Sequence, residues 1–310
     1  MSNKKSNSRN LYDEVTNAII DLLNDSLKYE QPWLVLDSNG ELAHNLVSKK
    51  RYNGVNQILL SYRAFKKNYQ LNSWLTFNNV VSLGGNVRKG EKSTMIYFYK
   101  FLYMTESGKK VHPDLYEKMN DKQKSTIKKV PYLKYYNVFN VFQTENLAPS
   151  FYEVKTKEPM PIFERDNAAE ALINSTDAKI IYIPGNDAFY RPSTDEIQLP
   201  LREQFIGKDH FYSTALHELA HWTGHSSRLD RLRKGKFGSP EYAFEELVAE
   251  LSAAFLCSHL GFTKTITNNA AYIKSWISVL QNDNKMIFKA AKLAEQASEF
   301  IKQFTAVETV

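Results

Sequence analysis

The chain has 310 residues, of which 43% are hydrophobic and 24% are charged, a composition typical of a globular protein that is long enough for two domains. Its apolar runs are shorter than the ~20 residues of a membrane span, and its polar N-terminus lacks a secretory signal. Its single cysteine, Cys257, excludes an intrachain disulfide. A cytoplasmic protein without a membrane partner is therefore predicted. Residues 1–150 carry 22 Lys and Arg against 13 Asp and Glu, net +9, and residues 151–310 carry 18 against 21, net −3, which indicates a polyanionic partner for the first half.

The first half predicts three helices followed by two strands. Apolar residues recur at helical spacing in LYDEVTNAIIDLLNDSL, so a first helix is expected from about residue 11 to 27. NGVNQILLSYRAFKKNY predicts a second helix with Asn53 or Asn56 as its cap, and WLTFNNVVSLGG predicts a short third helix with Thr76 as its cap. The aromatic-rich stretches TMIYFYKFLYM and YLKYYNVFNVFQTENL predict two strands, separated by a lysine-rich hairpin insertion at residues 106–129.

The second half is predicted to mix short strands with helices. The stretch EVKTKEPMPIFERD, with two prolines, predicts a domain boundary near residue 155. A helix is expected around residues 167–174, followed by strands in KIIYIP and DEIQLP. Further helices are expected at about residues 211–223, 240–260, 269–282 and 284–304. The predicted fold class is therefore α+β with two domains, residues 10–150 and residues 155–305.

The segment HELAH, residues 217–221, is an instance of HExxH. Residues four apart lie on one face of a helix, so His217 and His221 can reach one tetrahedral ion while Glu218 addresses the water-bearing position. The competing interpretation is a pair of solvated or core histidines on an amphipathic helix. A third protein ligand decides between the two, because a catalytic zinc site needs one.

His225 is the nearest candidate for a third ligand. On a continuing helix it would lie ~12 Å along the axis from His217, too far to share one ion. It could join only if the chain turned sharply at Gly224. Arg228 stands where the metzincin arrangement has its third histidine, so His225 is more simply interpreted as a polar helix-end residue.

A better candidate lies on the helix that Ser239 and Pro240 are predicted to begin. There Glu246 and Glu250 lie one turn apart beside an apolar face, where carboxylates are costly unless they are paired or bound to metal. The gluzincin pattern has a glutamate ligand on a second helix and an acidic residue four positions later that braces the first histidine. Glu246 and Glu250 match these two roles, with Glu250 as the alternative ligand. Glu245 falls on a different face of the helix.

The expected chemistry is metal-assisted hydrolysis of a carbonyl, in the simplest case a peptide bond. With three protein ligands, Zn²⁺ would keep an open position for water and lower the pKa of that water to about 7, and Glu218 could take the proton as a general base. Zn²⁺ is therefore the expected cofactor, and another divalent ion such as Mn²⁺ is the alternative. Tyr190 is a candidate partner for the oxyanion, or else an ordinary strand-end tyrosine.

The basic half interleaves cations with aromatic residues, as single-stranded nucleic acid requires: cations follow the phosphates, and aromatic faces stack on unpaired bases. The GGNVRKGEKS loop is a candidate phosphate cradle. Burial in a core is the competing interpretation for individual aromatics, above all for Trp74. The candidate DNA-binding residues are Arg51, Tyr52, Asn53, Arg63, Lys66, Lys67, Trp74, Arg88, Lys89 and Lys92.

Taken together, the chain resembles the ArdC-type antirestriction proteins of conjugative plasmids and mobile elements. The resemblance rests on RYNGVNQILL, SWLTFNNVVSLGGNVRKGEKST and YYNVFNV in the first half, and on FYRPSTDEIQLP, HELAHWTGHSSRLDR and FGSPEYAFEELVAELSAAFLC in the second. It implies a single-stranded-DNA-binding domain joined to a zincin-like, gluzincin-type metallopeptidase domain, in a protein that shields incoming DNA from restriction. By position, the metal-site motif of that family falls on His217, Glu218 and His221, with a downstream glutamate on the Glu246 helix.

Three hypotheses follow from the sequence. The leading one is an antirestriction protein that binds single-stranded DNA through its first half and carries a zinc site in its second, with a protein substrate or a restriction-system component as a further partner. The alternative is a regulatory zinc metalloprotease whose basic half docks a protein. The third is a DNA-binding protein with a structural metal, against which Glu218 argues, since a structural site needs no base beside the water.

Overall fold

The computed structural model describes residues 10–28, 32–155, 162–232, 238–264, 266 and 270–306. Within these residues the helices are α1 Leu11–Ser26, α2 Val55–Lys67, α3 Phe77–Ser82, α4 Pro113–Glu117, α5 Asp121–Lys124, α6 Ile162–Asn174, α7 Lys208–Thr223, α8 Pro240–His259, α9 Ala270–Asn282 and α10 Met286–Ala306. The strands are β1 His44–Asn45, β2 Ser73–Thr76, β3 Asn86–Val87, β4 Thr94–Met104, β5 Lys110–Val111, β6 Lys128–Asn140, β7 Thr144–Glu145, β8 Lys179–Tyr182, β9 Phe189–Arg191 and β10 Glu196–Leu199. The predicted α+β class is confirmed.

Two predicted features fall outside the described residues. They are the two prolines of the domain boundary and the start of a helix at residue 269. Across the ranges that are described, no helix combines the length and the apolar character needed to cross a membrane.

The described strands form three sheets. A five-stranded sheet has the order β1-β2-β6-β4-β5, a three-stranded sheet has the order β8-β10-β9, and β3 pairs with β7. In the first sheet, β4 and β6 form a long antiparallel ribbon whose register runs from Thr94 opposite Val138 to Met104 opposite Lys128. Because successive side chains along a strand point to opposite faces, this register fixes which side chains share a face.

The second helix begins differently from the prediction. Its N-cap is Gly54, which has a φ of 53° and a ψ of −131° and makes no side-chain cap, a conformation that glycine adopts without steric cost. The cap is therefore neither Asn53 nor Asn56. The Asn56 amide instead donates to the carbonyl of Tyr97 and accepts from its N–H, both at 2.8 Å, and so joins α2 to β4.

The stretch before the third helix holds a strand that the sequence does not predict. Trp74 and Leu75 lie in β2 and pair with β6. Helix α3 follows Thr76, which caps it as predicted through a capping box with Asn79. The insertion at residues 106–129 likewise contains β5, α4 and α5 between the two arms of the ribbon.

The hydrophobic core crosses the predicted domain boundary. The largest buried cluster combines apolar residues of α1 and α2, such as Ile19 and Ile58, with residues of α8, α9 and α10, such as Leu247, Trp276 and Ile287. A second cluster joins the β8-β10-β9 sheet to α7 and to the other side of α8. Helix α8 is thus held from two sides by close packing, which fixes the direction in which its glutamates point.

Candidate functional site

The metal-ligand candidates lie on two neighbouring helices. Helix α7 carries His217, Glu218 and His221 and ends at Gly224, as predicted, where the Gly224 N–H donates to the carbonyl of His221. Helix α8 begins, also as predicted, behind an N-cap at Ser239. The local sequence therefore sets both helix ends that frame the site.

Two imidazoles and one carboxylate converge between α7 and α8. His217 Nε2 lies 3.5 Å from one oxygen of Glu246, and His221 Nε2 lies 3.5 Å from the other oxygen. The three ligand atoms lie within 4.8 Å of one another. Such a set of two nitrogens and a carboxylate oxygen suits Zn²⁺ and related divalent ions.

The other nitrogen of each imidazole also faces a carboxylate. His217 Nδ1 lies 3.4 Å from Glu250, and His221 Nδ1 lies 3.2 Å from Glu245. An acceptor at Nδ1 places the proton there and leaves Nε2 free to bind a metal, which is how histidine ligands are usually oriented. Glu250 thus occupies the position predicted for the brace of His217, whereas the contact of Glu245 is not predicted.

Arg231 holds Glu245 in place. Its Nε and Nη2 lie 3.0–3.2 Å from the Glu245 carboxylate, its Nη1 donates to Thr223 Oγ1 at 2.7 Å, and its Nη2 donates to the carbonyl of Ala220. The guanidinium therefore ties the end of α7 to α8. Gly224 leaves room for it, since an added Cβ there would lie 3.1 Å from Arg231 Cζ.

Glu250 is bound by residues from both halves of the chain. It accepts the indole N–H of Trp33 at 3.2 Å, and its other oxygen lies 3.1 Å from Lys264 Nζ and 3.4 Å from His217 Nδ1. Trp33 is buried and belongs to the segment between α1 and α2. The basic half therefore supplies one donor to the carboxylate that orients a candidate metal ligand.

We expect Trp33→Phe to weaken metal binding and to lower the free energy of unfolding by about 1.5–3 kcal/mol, because a hydrogen bond to a buried carboxylate is lost. Trp276→Phe is the matched control: its ring lies 6.2 Å from that of Trp33, and its Nε1 has no hydrogen-bond partner among the described residues. Metal titration and thermal unfolding of the two variants measure the difference. Equal effects would show that ring volume matters and the hydrogen bond does not.

The surrounding carboxylates favour the protonated form of both histidines before any metal binds. Burial lowers the pKa of His217, but hydrogen bonds to Glu246 and Glu250 outweigh it and raise the pKa. For His221, burial is outweighed by Glu245 and Glu246, and the pKa rises to about 10. Since a metal ion binds neutral imidazole, its binding must displace these protons and becomes weaker as the pH falls.

Two further groups belong to the site. Glu218 is buried, and its charge raises the pKa of His217. Tyr242 is half-buried beside the site, and its burial, followed by its hydrogen bonds to Glu246 and Tyr272, raises its pKa. The sequence does not predict Tyr242 or Tyr272 at the site, although Tyr242 lies one helical turn before Glu246.

Two other candidates from the sequence have different partners. The three-residue cluster does not include His225, whose Nδ1 accepts the N–H of Ser227. Tyr190 donates to Asp195 at 2.7 Å, and Arg228 binds the same carboxylate at 3.0 Å. Tyr190 is therefore part of a network of hydrogen bonds and an ion pair that joins β9 to the segment after α7.

Most of the candidate DNA-binding side chains lie at the surface. Tyr52 and Trp74 are exceptions, 8% and 0% exposed within one core cluster, so the prediction that they contact DNA is wrong. Lys66 pairs with Asp25 at 2.6 Å, and Arg88 donates to the backbone carbonyl of Phe142, just after β6. Exposed or half-buried positions are occupied by Arg51, Asn53, Arg63, Lys66, Lys67, Arg88, Lys89 and Lys92.

Two family models match the chain. The N-terminal domain of anti-restriction factor ArdC matches residues 9–139, and a zincin-like metallopeptidase matches residues 167–293. The metal-free crystal structure of the antirestriction ArdC protein from plasmid R388 is 30% identical, with a TM-score of 0.74, over 96% of this chain and 99% of that one. The chain belongs to the ArdC antirestriction family. The resemblance predicted from its motifs is confirmed.

Two further matches place this ArdC-family protein among its relatives. The Mn(II)-bound structure of the R388 ArdC protein is 31% identical, with a TM-score of 0.71, over 97% of this chain and all of that one. The DNA primase TraC of Escherichia coli is 36% identical over 280 residues, which are 89% of this chain. The match spans 18% of the length of that primase, so it relates this chain to one part of a longer protein.

Proposed function

We propose that this ArdC-family protein binds single-stranded DNA and carries a zinc-dependent, metallopeptidase-like site, and that it protects the incoming DNA of a mobile element. The observation that carries the proposal is the convergence of His217, His221 and Glu246, whose ligand atoms lie within 4.8 Å of one another. Two histidines and a glutamate are the ligands of zinc hydrolases that keep a fourth position open.

The residues around the cluster fit the chemistry of hydrolysis. When bound, a divalent ion in such a site acidifies a coordinated water and polarises a substrate carbonyl. Glu218, next to His217 on α7, would accept the proton of that water as a general base. Glu250 and Glu245 hold the two imidazoles through Nδ1, so that both present Nε2 to the same point.

Zn²⁺ is the proposed resident ion, and Mn²⁺ is the alternative, since the R388 relative has been crystallised with Mn(II). Elemental analysis of the purified protein tests this, with one zinc per chain expected. Removal of the ion by a chelator should lower the melting temperature, because metal binding stabilises the folded state. A protein that retains neither ion, and whose melting temperature responds to neither, would overturn the proposed metal site.

Binding of single-stranded DNA is supported by the net charge of residues 1–150, with 22 Lys and Arg against 13 Asp and Glu, and by the exposed cations of that half. We expect tighter binding to an oligo-dT strand than to a hairpin duplex of equal length, with an affinity that falls steeply as salt rises. Fluorescence anisotropy at several salt concentrations measures both. Equal affinity for the two probes would contradict base stacking, and no binding at low salt would favour the alternative that this half docks a protein.

The two functions are proposed to divide along the predicted ranges, residues 10–150 for DNA and residues 155–305 for the metal, with a protein substrate or restriction-system component meeting the second. The apolar cluster that α1 and α2 share with α8, α9 and α10 joins the two parts. Separate expression of either part would expose apolar surface that the intact chain buries.

A further inference from the structure

The ribbon of β4 and β6 has an open face that mixes aromatic rings with lysines. Phe98 lies opposite Lys134, and Lys100 lies opposite Tyr132, and directly opposed residues of an antiparallel pair point to the same face. Phe98 and Tyr132 are 39% and 45% exposed, and both lysines are exposed. These four residues are called the ribbon face below.

The opposite side of the ribbon packs in part against α10 and α4. Tyr97 and Tyr99 point to that side, and their rings lie 6.4 and 5.7 Å from the ring of Phe288 on α10. Further along, Tyr103 stacks on Tyr116 of α4 with ring centroids 3.9 Å apart. These contacts fix the ribbon to the helices on that side, where Tyr99, Phe101 and Tyr135 are still 45%, 40% and 37% exposed. The ribbon face makes no ring contact with α10 or α4 among the described residues, and it is therefore the side compared with Phe101 below.

The base of the open side is covered by α2. Ile96 and Val138 of the ribbon share a buried cluster with Leu60 and Ala64. Phe98 is the next residue of β4 on this side, and because it is exposed, the part of the ribbon that α2 covers ends before it. The ring of Tyr136, also on this side, lies 5.5 Å from the ring of Phe98 and 5.0 Å from Lys134 Nζ, so it supports both side chains from below.

Charge also distinguishes this side from an ordinary protein-binding surface. Neither β4 nor β6 contains an acidic residue, and three of their four lysines, Lys100, Lys128 and Lys134, lie on this side. At the base, Arg63 of α2 reaches the backbone carbonyl of Lys92, just before β4, at 3.4 Å. Lys92 is an exposed residue of the GGNVRKGEKS loop, two positions before β4 begins.

We propose that the ribbon face is the platform on which single-stranded nucleic acid binds, with bases stacked on Phe98 and Tyr132 and phosphates beside Lys100 and Lys134. The inference rests on the proposed function and locates it in residues that the sequence analysis did not assign. An aromatic ring beside a lysine at each step suits an unpaired strand, whose bases offer flat apolar faces and whose backbone repeats a negative charge. A duplex keeps its bases stacked internally and gains nothing from the rings.

The test compares Phe98→Ala and Tyr132→Ala with Phe101→Ala in the full-length protein. Phe101 is the matched control, because it lies on the same strand, is 40% exposed and points to the other side of the ribbon. Anisotropy with labelled oligo-dT should show a loss of roughly fivefold to 150-fold for each of the first two variants. Phe101→Ala should change the affinity less than about twofold. Melting temperature and metal content, which should match wild type, show that each variant is folded.

A second pair of variants tests the cations. The double variant Lys100→Ala/Lys134→Ala should bind oligo-dT with a shallower slope of log affinity against log salt concentration. The slope should decrease in magnitude by ~0.7 for each phosphate contact that is lost. Lys129→Ala, whose side chain lies over the Phe101 ring on the other side of the ribbon, should leave the slope unchanged. An unchanged slope in the double variant would overturn the role of the two lysines.

The outcomes separate this inference from the function on which it rests. If wild-type protein binds no single strand, the proposed DNA function fails and the platform fails with it. If wild type binds but Phe98→Ala and Phe101→Ala behave alike, only the platform is wrong. If wild type forms dimers on gel filtration that Phe98→Ala loses, with unchanged affinity for oligo-dT, the face pairs with a second copy of the chain and the platform is wrong.

Discussion

Glu218→Gln is expected to keep its metal and to lose peptide hydrolysis by a factor of at least ~100, the usual effect of removing a general base. Glutamine preserves the size of the side chain but cannot accept the proton of a water. The carboxylate of Glu218 is not among the three clustered ligand groups, so metal content should stay at the wild-type level. Elemental analysis and hydrolysis of labelled casein by zinc-loaded protein measure the two quantities.

The control is Glu241→Gln, a change of the same kind at an exposed position in the first turn of α8. Metal content and hydrolysis should both match wild type. If Glu218→Gln loses the metal, Glu218 is a ligand and its assignment as the base is wrong. If the variant hydrolyses casein at the wild-type rate, a different group accepts the proton.

The same variant connects the site to antirestriction. Transfer of unmodified DNA into a restricting host, with wild-type or Glu218→Gln protein present, measures protection directly. Loss of protection would tie it to hydrolysis. Protection that persists without hydrolysis would mean that binding to DNA is sufficient and that the hydrolytic site serves another purpose.

Glu246→Ala is expected to abolish metal binding, because both Nε2 atoms lose the carboxylate that completes their site. Even without metal, removing one member of a buried charged cluster is expected to cost ~3–5 kcal/mol of unfolding free energy. Calorimetric titration with Zn²⁺ and thermal unfolding with a chelator present separate the two effects. Binding of oligo-dT should persist under conditions in which the variant remains folded.

Glu250→Gln and Glu245→Gln provide the comparison for Glu246. Each contacts an Nδ1 atom, at 3.4 and 3.2 Å, so each loss should weaken metal binding by ~10–100-fold without abolishing it. If Glu246→Ala retains full metal and Glu250→Gln loses it, the ligand lies one helical turn further along α8 and the two roles are exchanged.

The sequence by itself determined the features that depend on local periodicity. The four-residue spacing of His217 and His221 places both rings on one face of α7 because of the pitch of a helix. Ser239 marks the start of α8, and the alternating aromatic stretch TMIYFYKFLYM predicts a strand that coincides with β4. These interactions involve neighbours in the chain, so the pattern of residue types is enough to predict them.

Only the tertiary structure decided which distant groups meet. Trp33, Arg231 and Lys264 all brace the candidate ligand site, yet they lie far apart in the sequence and on different elements. Glu245 lies on a different face of α8 from Glu246, as the sequence indicates, but the approach of α7 brings His221 to that face. Helix packing creates this contact, and helical periodicity alone cannot predict it.

The same distinction holds for the aromatic residues of the basic half. Composition could not tell Trp74, which is buried, from Phe98 and Tyr132, which are exposed, because all three suit both a core and a stacking surface. Strand register and the positions of α2 and α10 separate them. Burial depends on what packs against each face of a strand, and those partners come from elsewhere in the chain.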